Sequence, residues 1–308
     1  MNDPFRLTDT APVAGGTLAY GRAGAPAAGA EAIVLALHGI AGNRMAWRSV
    51  ARAVESEAQV EMIAPDLRGR ADSAGLPGPY GIAAHVADVL ALLDHVRIAR
   101  AVLVGHSMGA YVAARVAAEH PERVAGLVLA DGGIPVHDLD EESAAAARAM
   151  FIGSALARHA QTFVSIDAYL NYWRQHPAFS DEWNADVEAY VLHDLRGEPG
   201  AYRYVVNIGA IVEDGEEVLS DRVNRFAIDR THTPVRLLRA PRGAFNDENA
   251  LIPEDDLRRF IAAHPGAEVE EIPHVNHYTL VMGDSAGPER VAAALLAATH
   301  PHLLRHYP

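Results

Sequence analysis

Cysteine is absent from this 308-residue chain, which excludes disulfides, a thiol nucleophile and thiolate metal sites. Lysine is absent too: all 26 basic residues are arginine, set against 40 acidic ones for a net charge of −14. Such an acidic surface argues against nucleic acid and anionic membranes as partners, since both are held by clustered positive charge. There is no apolar run long enough to span a bilayer. The opening Met1-Asn2-Asp3-Pro4-Phe5 lacks the basic start and apolar stretch of a secretory signal, so a cytoplasmic location is the expectation. A glycine-rich phosphate loop, a His-Glu-X-X-His pair and a metal-spaced carboxylate cluster are all missing, so no cofactor and no metal are expected. No repeat of 20–50 residues is found either.

What remains is apolar and alternating. Half the residues are hydrophobic at a mean hydropathy of +0.00, enough to bury a large core. Ile33–Leu37, Val60–Ala64, Ala101–Gly105, Gly126–Ala130, Val235–Arg239 and Glu268–Ile272 read as strands. Several are apolar at successive positions, as strands covered on both faces are. Met45–Ser56, Ile82–His95 and Ser107–Glu119 carry helical spacing, and Gly15-Gly16 between Val13 and Leu18 marks a hairpin. This rhythm predicts a doubly wound, mostly parallel α/β sheet. It breaks from Ile134 to about Arg230, where only helical segments such as Glu141–Ile152, Asp167–His176 and Ser180–Leu195 are seen and aromatic residues concentrate. Residues 134–230 therefore read as a helical cap inserted into a core made of 1–133 and 231–308. Most of its aromatics are expected to be packing, the rest to line a pocket; Trp173 and Tyr169, with Tyr278 from the core, are the candidates for substrate contact.

The chemistry-bearing motif is Gly105-His106-Ser107-Met108-Gly109, which follows a buried strand and opens an Ala-rich helix. A chain turning that sharply strains the backbone at Ser107 and needs glycine on both sides, where side chains would clash. The turn lifts the hydroxyl to the carboxyl end of the sheet, where open α/β folds bind ligands. The new helix brings the Met108 N–H toward a developing oxyanion.

With these residues the chain resembles the α/β-hydrolase superfamily, over most of its length outside the insertion. Gly105–Gly109 looks like the superfamily's nucleophile elbow. Leu37-His38-Gly39-Ile40 ends a strand as its His-Gly oxyanion loop does, and Ala64-Pro65-Asp66-Leu67-Arg68-Gly69 is similar to the segment after its next strand. Serine at the nucleophile position, where dehalogenases and epoxide hydrolases of this fold carry Asp, implies acyl chemistry.

The resemblance also implies the order nucleophile, acid, histidine. His277, on the loop before the final helix, is the expected base, with His274 its local competitor. For the acid, the loop after Val235–Arg239 favours Asp247, although Asn246 or Glu248 could stand at the critical point; Asp131, at the end of Gly126–Ala130, is the alternative. The oxyanion hole would combine the Met108 N–H with that of Ile40, or of Ala41 next to it. His38 and His106 are expected to shape their loops by local hydrogen bonds, as are Asp66, Arg68 and Asp72-Ser73. The function implied is a cofactor-independent serine hydrolase, a carboxylesterase acting on a small molecule with an ester-like carbonyl. A thioester, lactone or amide would use the same machinery. Two alternatives stand beside it: a carbon–carbon bond hydrolase of the meta-cleavage-product type, and a ligand-binding protein on a hydrolase scaffold.

Overall fold

The computed structural model describes residues 3–5, 7–24, 32–55, 60–136 and 141–299. Ser56, the expected end of the first helix, and Met1-Asn2 of the expected start lie outside the described residues. In chain order the strands are β1 (Leu7–Val13), β2 (Gly16–Gly24), β3 (Ala32–Leu37), β4 (Val60–Pro65), β5 (Ala101–His106), β6 (Val124–Ala130), β7 (Leu195–Arg196), β8 (Arg203–Tyr204), β9 (Val235–Arg239) and β10 (Glu268–Glu271). Eight of them form one sheet in the order β1-β2-β4-β3-β5-β6-β9-β10. The β1–β2 hairpin and the β2–β4 pair are antiparallel, and every other pair of this sheet is parallel.

Alternation along the strands fills two cores. Leu35, Leu37, Leu103, Leu127 and Leu129 face one side, and Val34, Ala36, Val102, Val104 and Val128 face the other. Helices α1 (Arg48–Glu55), α2 (Ile82–His95) and α3 (Met108–Glu119) follow β3, β4 and β5. Val86, Val89 and Val112 of α2 and α3 cover the first side. Val50 and Val54 of α1 cover the second, together with Val291 and Leu295 near the chain's end.

Between β6 and β9 the chain leaves the sheet. It forms α4 (Glu141–Arg148), a π turn at Ala149–Gly153, α5 (Ser154–His159), α6 (Ile166–Arg174), α7 (Ala185–His193), α8 (Ile208–Ser220) and α9 (Arg222–Arg225). Two expectations change here. The helix expected over Ser180–Leu195 begins only at Ala185, because Asn184 caps it by accepting from the N–H groups of Asp186 and Val187 at 2.9 Å. The stretch also holds the short antiparallel β7–β8 pair. After β9 come α10 (Glu254–Ala263), whose first turn carries Asp255 and Asp256 as dipole partners, and α11 (Ala286–Thr299).

Register sets up the site. Leu37 pairs with Gly105, His106 with Ala130, and Ala130 with Leu238, so the carboxyl ends of β3, β5, β6 and β9 lie side by side. Among the described residues no helix is long and apolar enough to cross a membrane.

Candidate active site

Ser107 stands between β5 and α3 with φ 55° and ψ −122°, a conformation L-residues avoid. The strain is held from both sides. The Ser107 N–H donates to the Ala130 carbonyl at 3.0 Å, and its own carbonyl accepts from Ala110 at 3.0 Å. Glycine is required on either side: a Cβ on Gly105 would collide with the Gly109 carbonyl, and one on Gly109 with the Leu37 carbonyl. The result is a hydroxyl presented at the tip of the sheet on a nearly buried residue, 9% exposed.

His277 follows Asn276, which builds its loop. The Asn276 side-chain oxygen accepts from the Tyr278 and Thr279 N–H groups at 2.9 and 3.0 Å, while Thr279 Oγ1 accepts from the Asn276 N–H at 2.9 Å. This reciprocal pair is the logic of a capping box applied to a tight turn. His277 Nδ1 lies 2.8 Å from Asp131 Oδ2, with both residues buried. A carboxylate only accepts, so Nδ1 carries the proton and Nε2 keeps its lone pair for a substrate-side proton. Asp131 Oδ1 accepts in turn from the Ala240 N–H at 3.2 Å.

The preference for Asp247 is corrected at the level of geometry: the carboxylate that contacts His277 is that of the alternative, Asp131. Asp247 closes its own turn, its side chain accepting from the Asn249 N–H at 3.0 Å and its carbonyl from the Gly243 N–H at 2.9 Å. Asn246 is taken up by Arg242, whose Nε donates to it at 2.7 Å, and Glu248 is exposed. His274 sits exposed in the preceding turn at φ 66°.

His38 holds its own loop by a local bond, as expected, whereas His106 reaches a loop far along the chain. His106 Nε2–H donates to the His277 carbonyl at 2.8 Å, tying the nucleophile turn to the histidine loop. Burial, reinforced by His277 beside it, holds the His106 imidazole well below its ordinary pKa. The Leu67 N–H donates to His38 Nε2 at 2.9 Å, so Nδ1 is the protonated nitrogen and donates to the Gly39 carbonyl at 2.8 Å. Burial, only partly opposed by Asp66, lowers the His38 pKa to about 3. The next peptide is fixed by Arg70, a residue the sequence reading passed over: its Nε donates to the Ile40 carbonyl at 2.8 Å.

The loop residues Asp66, Arg68 and Ser73 have structural partners. Arg44 pairs with Asp66, Arg68 forms two bonds to Asp88 at 2.8 and 2.6 Å, and Ser73 Oγ accepts from Ala19 at 2.9 Å. Asp66, Asp72 and His193 converge within 4.8 Å, but Arg44 reaches both carboxylates, which makes the group an ion-pair cluster. Burial alone would raise the Asp66 carboxyl; His193 and Arg44 hold it below the usual range.

Ser107 and His277 both line a cavity of about 260 Å³. Gly39, Ile40 and Ala41 form part of its wall, as do Trp173 and Tyr278. Met108 lines a small adjoining recess together with Ile40 and Ser107. Tyr169 is the second correction: it lies outside the cavity, buried edge-on against Phe163 at 4.8 Å, and serves packing. The wall also holds residues the sequence reading did not single out, Arg158, His176 and Phe245. His176 and Phe245 stack at 5.2 Å, and burial, with Arg158 nearby, lowers the His176 pKa to about 4.

A sequence profile described as "alpha/beta hydrolase fold" matches residues 32–189. RutD of Klebsiella pneumoniae (strain 342), provisionally named a carbamate hydrolase, is 36% identical over 109 residues, 35% of this chain and 40% of that protein. Lipase LipV of Mycobacterium tuberculosis is 37% identical over 101 residues, 33% of this chain and 37% of that one. The chain thus spans about two fifths of the length of these curated relatives. The crystal structure of E-2-(acetamidomethylene)succinate hydrolase superposes with a TM-score of 0.75 at 21% identity, covering 94% of this chain and 97% of that one, a likeness of fold.

Proposed function

The chain belongs to the α/β-hydrolase family, and on that footing we propose that it is a serine hydrolase cleaving carboxylic esters of small molecules through an acyl-enzyme. Ser107 is the nucleophile, His277 the base and Asp131 the acid. The observation that carries this reading is the 2.8 Å contact of His277 Nδ1 with Asp131 Oδ2, on a histidine that shares a cavity with the strained Ser107.

The steps follow from that geometry. Ser107 Oγ attacks the ester carbonyl as His277 Nε2 takes its proton, and Asp131 stabilises the imidazolium. The N–H groups of Met108, at the unpaired start of α3, and of Ile40 receive the oxyanion, each donor worth about 3 kcal/mol. Collapse of the tetrahedral intermediate breaks the ester bond, with the His277 proton passing to the leaving alcohol. Water, deprotonated by His277, then attacks the acyl-serine and frees the acid. The helical segment between β6 and β9 acts as the cap, supplying Phe151, Trp173 and Tyr190 to the substrate wall. The relatives named for a carbamate and a lipase activity support cleavage at an acyl carbonyl.

A fluorophosphonate probe tests the assignment. It is expected to label the native protein covalently and not Ser107→Ala, with p-nitrophenyl ester turnover falling about 10⁶-fold in that variant. Absence of label on the native chain, together with turnover untouched by Ser107→Ala, would sink the reading.

A further inference from the structure

The cavity wall carries a cation that the acyl chemistry does not use. Arg158, in the last turn of α5, is 7% exposed and lines the same cavity as Ser107 and His277. Its guanidinium lies against two rings, its central carbon 4.6 Å from the Trp173 ring and 3.8 Å from the Tyr204 ring. Cation–π contacts of this kind hold the charge in place without neutralising it. Arg158 Nε has no hydrogen-bond partner, although it is fully buried.

No Asp or Glu among the described residues lines the cavity. Among the described residues no carboxylate forms an ion pair with Arg158; Asp194 acts on it only through its charge. His176, the neighbouring titratable group, is neutral at pH 7, since its pKa is lowered to about 4. A buried, permanently charged guanidinium with an open donor is costly unless something arrives to satisfy it. The chain's net charge of −14 repels anions at long range, so the attraction has to be local.

We propose that Arg158 is an anion subsite, and that the substrate is an ester carrying a free carboxylate that docks on this guanidinium while its carbonyl faces Ser107. This rests on the ester-hydrolase reading for its second half only. A carboxylate is favoured because its planar pair of oxygens matches the N–H edge of a guanidinium.

The test compares mono-p-nitrophenyl glutarate with its methyl ester, a neutral analogue of nearly the same shape, in wild type and Arg158→Met. The ratio of kcat/KM for the acid to that for the methyl ester is expected to exceed one in wild type and to fall about 10- to 100-fold in the variant. A ratio cancels any loss of folded protein. Calorimetric binding of glutarate to Ser107→Ala, and its weakening in Ser107→Ala/Arg158→Met, reads the subsite without turnover. If wild type cleaves both esters with a ratio that Arg158→Met leaves unchanged, the subsite is overturned and the hydrolase reading stands. If neither ester is cleaved but glutarate binds in an Arg158-dependent way, the subsite stands and the hydrolase reading falls. No cleavage and no binding overturns both.

Discussion

Asp131 keeps a φ of 48°, an arrangement that costs a non-glycine residue on the order of 1 kcal/mol. The turn is held by the Asp131 N–H, which donates to the Leu238 carbonyl at 2.8 Å, and it aims one carboxylate oxygen at His277 and the other at Ala240. Asp131→Asn would preserve the shape but offer its amide to Nδ1, favouring the wrong imidazole tautomer; kcat is expected to fall about 10⁴-fold, while Asp247→Asn stays near wild type. Steady-state kinetics on the two variants decides the point, and a normal rate for Asp131→Asn would refute the role. The elbow at Ser107 was legible in the sequence because glycines and a buried strand leave a local signature. The carboxylate that meets His277 was not, since an acid can reach that histidine from either of two neighbouring strand ends. One signal was present: Asp131 is followed by Gly132-Gly133, and a Cβ on Gly132 would lie 2.5 Å from the Ser107 carbonyl. A paired glycine pressed against the nucleophile's backbone marks this strand end as part of the site. Arg158 left no such mark, because a buried arginine on a helix reads in sequence like a solvated one.

Elements meet at Asp214 of α8. Its carboxylate accepts from the Gly81 N–H at 2.6 Å, from His85 Nε2 of α2 at 2.9 Å, and pairs with Arg70, whose Nε holds the Ile40 carbonyl. Burial works against this charge, but Arg70 and His85 keep the Asp214 carboxyl well below the usual range. One buried carboxylate thus joins α8, the start of α2 and the loop at Ile40. Asp214→Asn would set an amide N–H against the Arg70 and His85 donors, and a loss of about 3 kcal/mol in denaturant unfolding is expected. The double variant Asp214→Leu/Arg70→Met should lose less than the sum of its single changes, because neither charge is then left alone. Additive losses would show that the pair is not coupled. Such long-range partners are invisible to periodicity, which reads one element at a time; α2 was legible over Ile82–His95 for the same reason that its tie to α8 was not.

For the whole molecule, two buried groups tilt stability in opposite directions with pH. The Asp194 carboxyl is pushed up to about 7 by burial, only partly offset by His193, the Asn43 amide and Arg158. Its unfolded value is about 3.9. Between these the folded state binds the extra proton, so this contribution to stability falls as pH rises from about 4 to 7 and levels above. His38, lowered to about 3, does the reverse: the unfolded chain binds the proton first, and stability is lost as pH falls from about 6.5 toward 3. Asp194→Asn retains the shape that accepts from Asn43 Nδ2 at 2.8 Å. Its advantage over wild type in unfolding free energy is expected to grow across pH 4–7 and then stay flat; a difference independent of pH would contradict the assignment.

The direct pairing of β6 with β9 has a bearing on how specificity changes. The two strands are parallel neighbours, Leu127 pairing with Val235 and Ala130 with Leu238, so the helical insertion leaves at the carboxyl end of β6 and crosses over to rejoin the sheet at the amino end of β9. The two ends are fixed by the sheet, and closing a longer or shorter loop between them shifts the entropy only logarithmically. The part of the cavity wall that the insertion supplies is therefore a replaceable one. A segment of different length and side chains, grafted between these strands, would meet the same Ser107, and under the proposed function new substrate ranges would arise by exchange of one block while the core stays as it is.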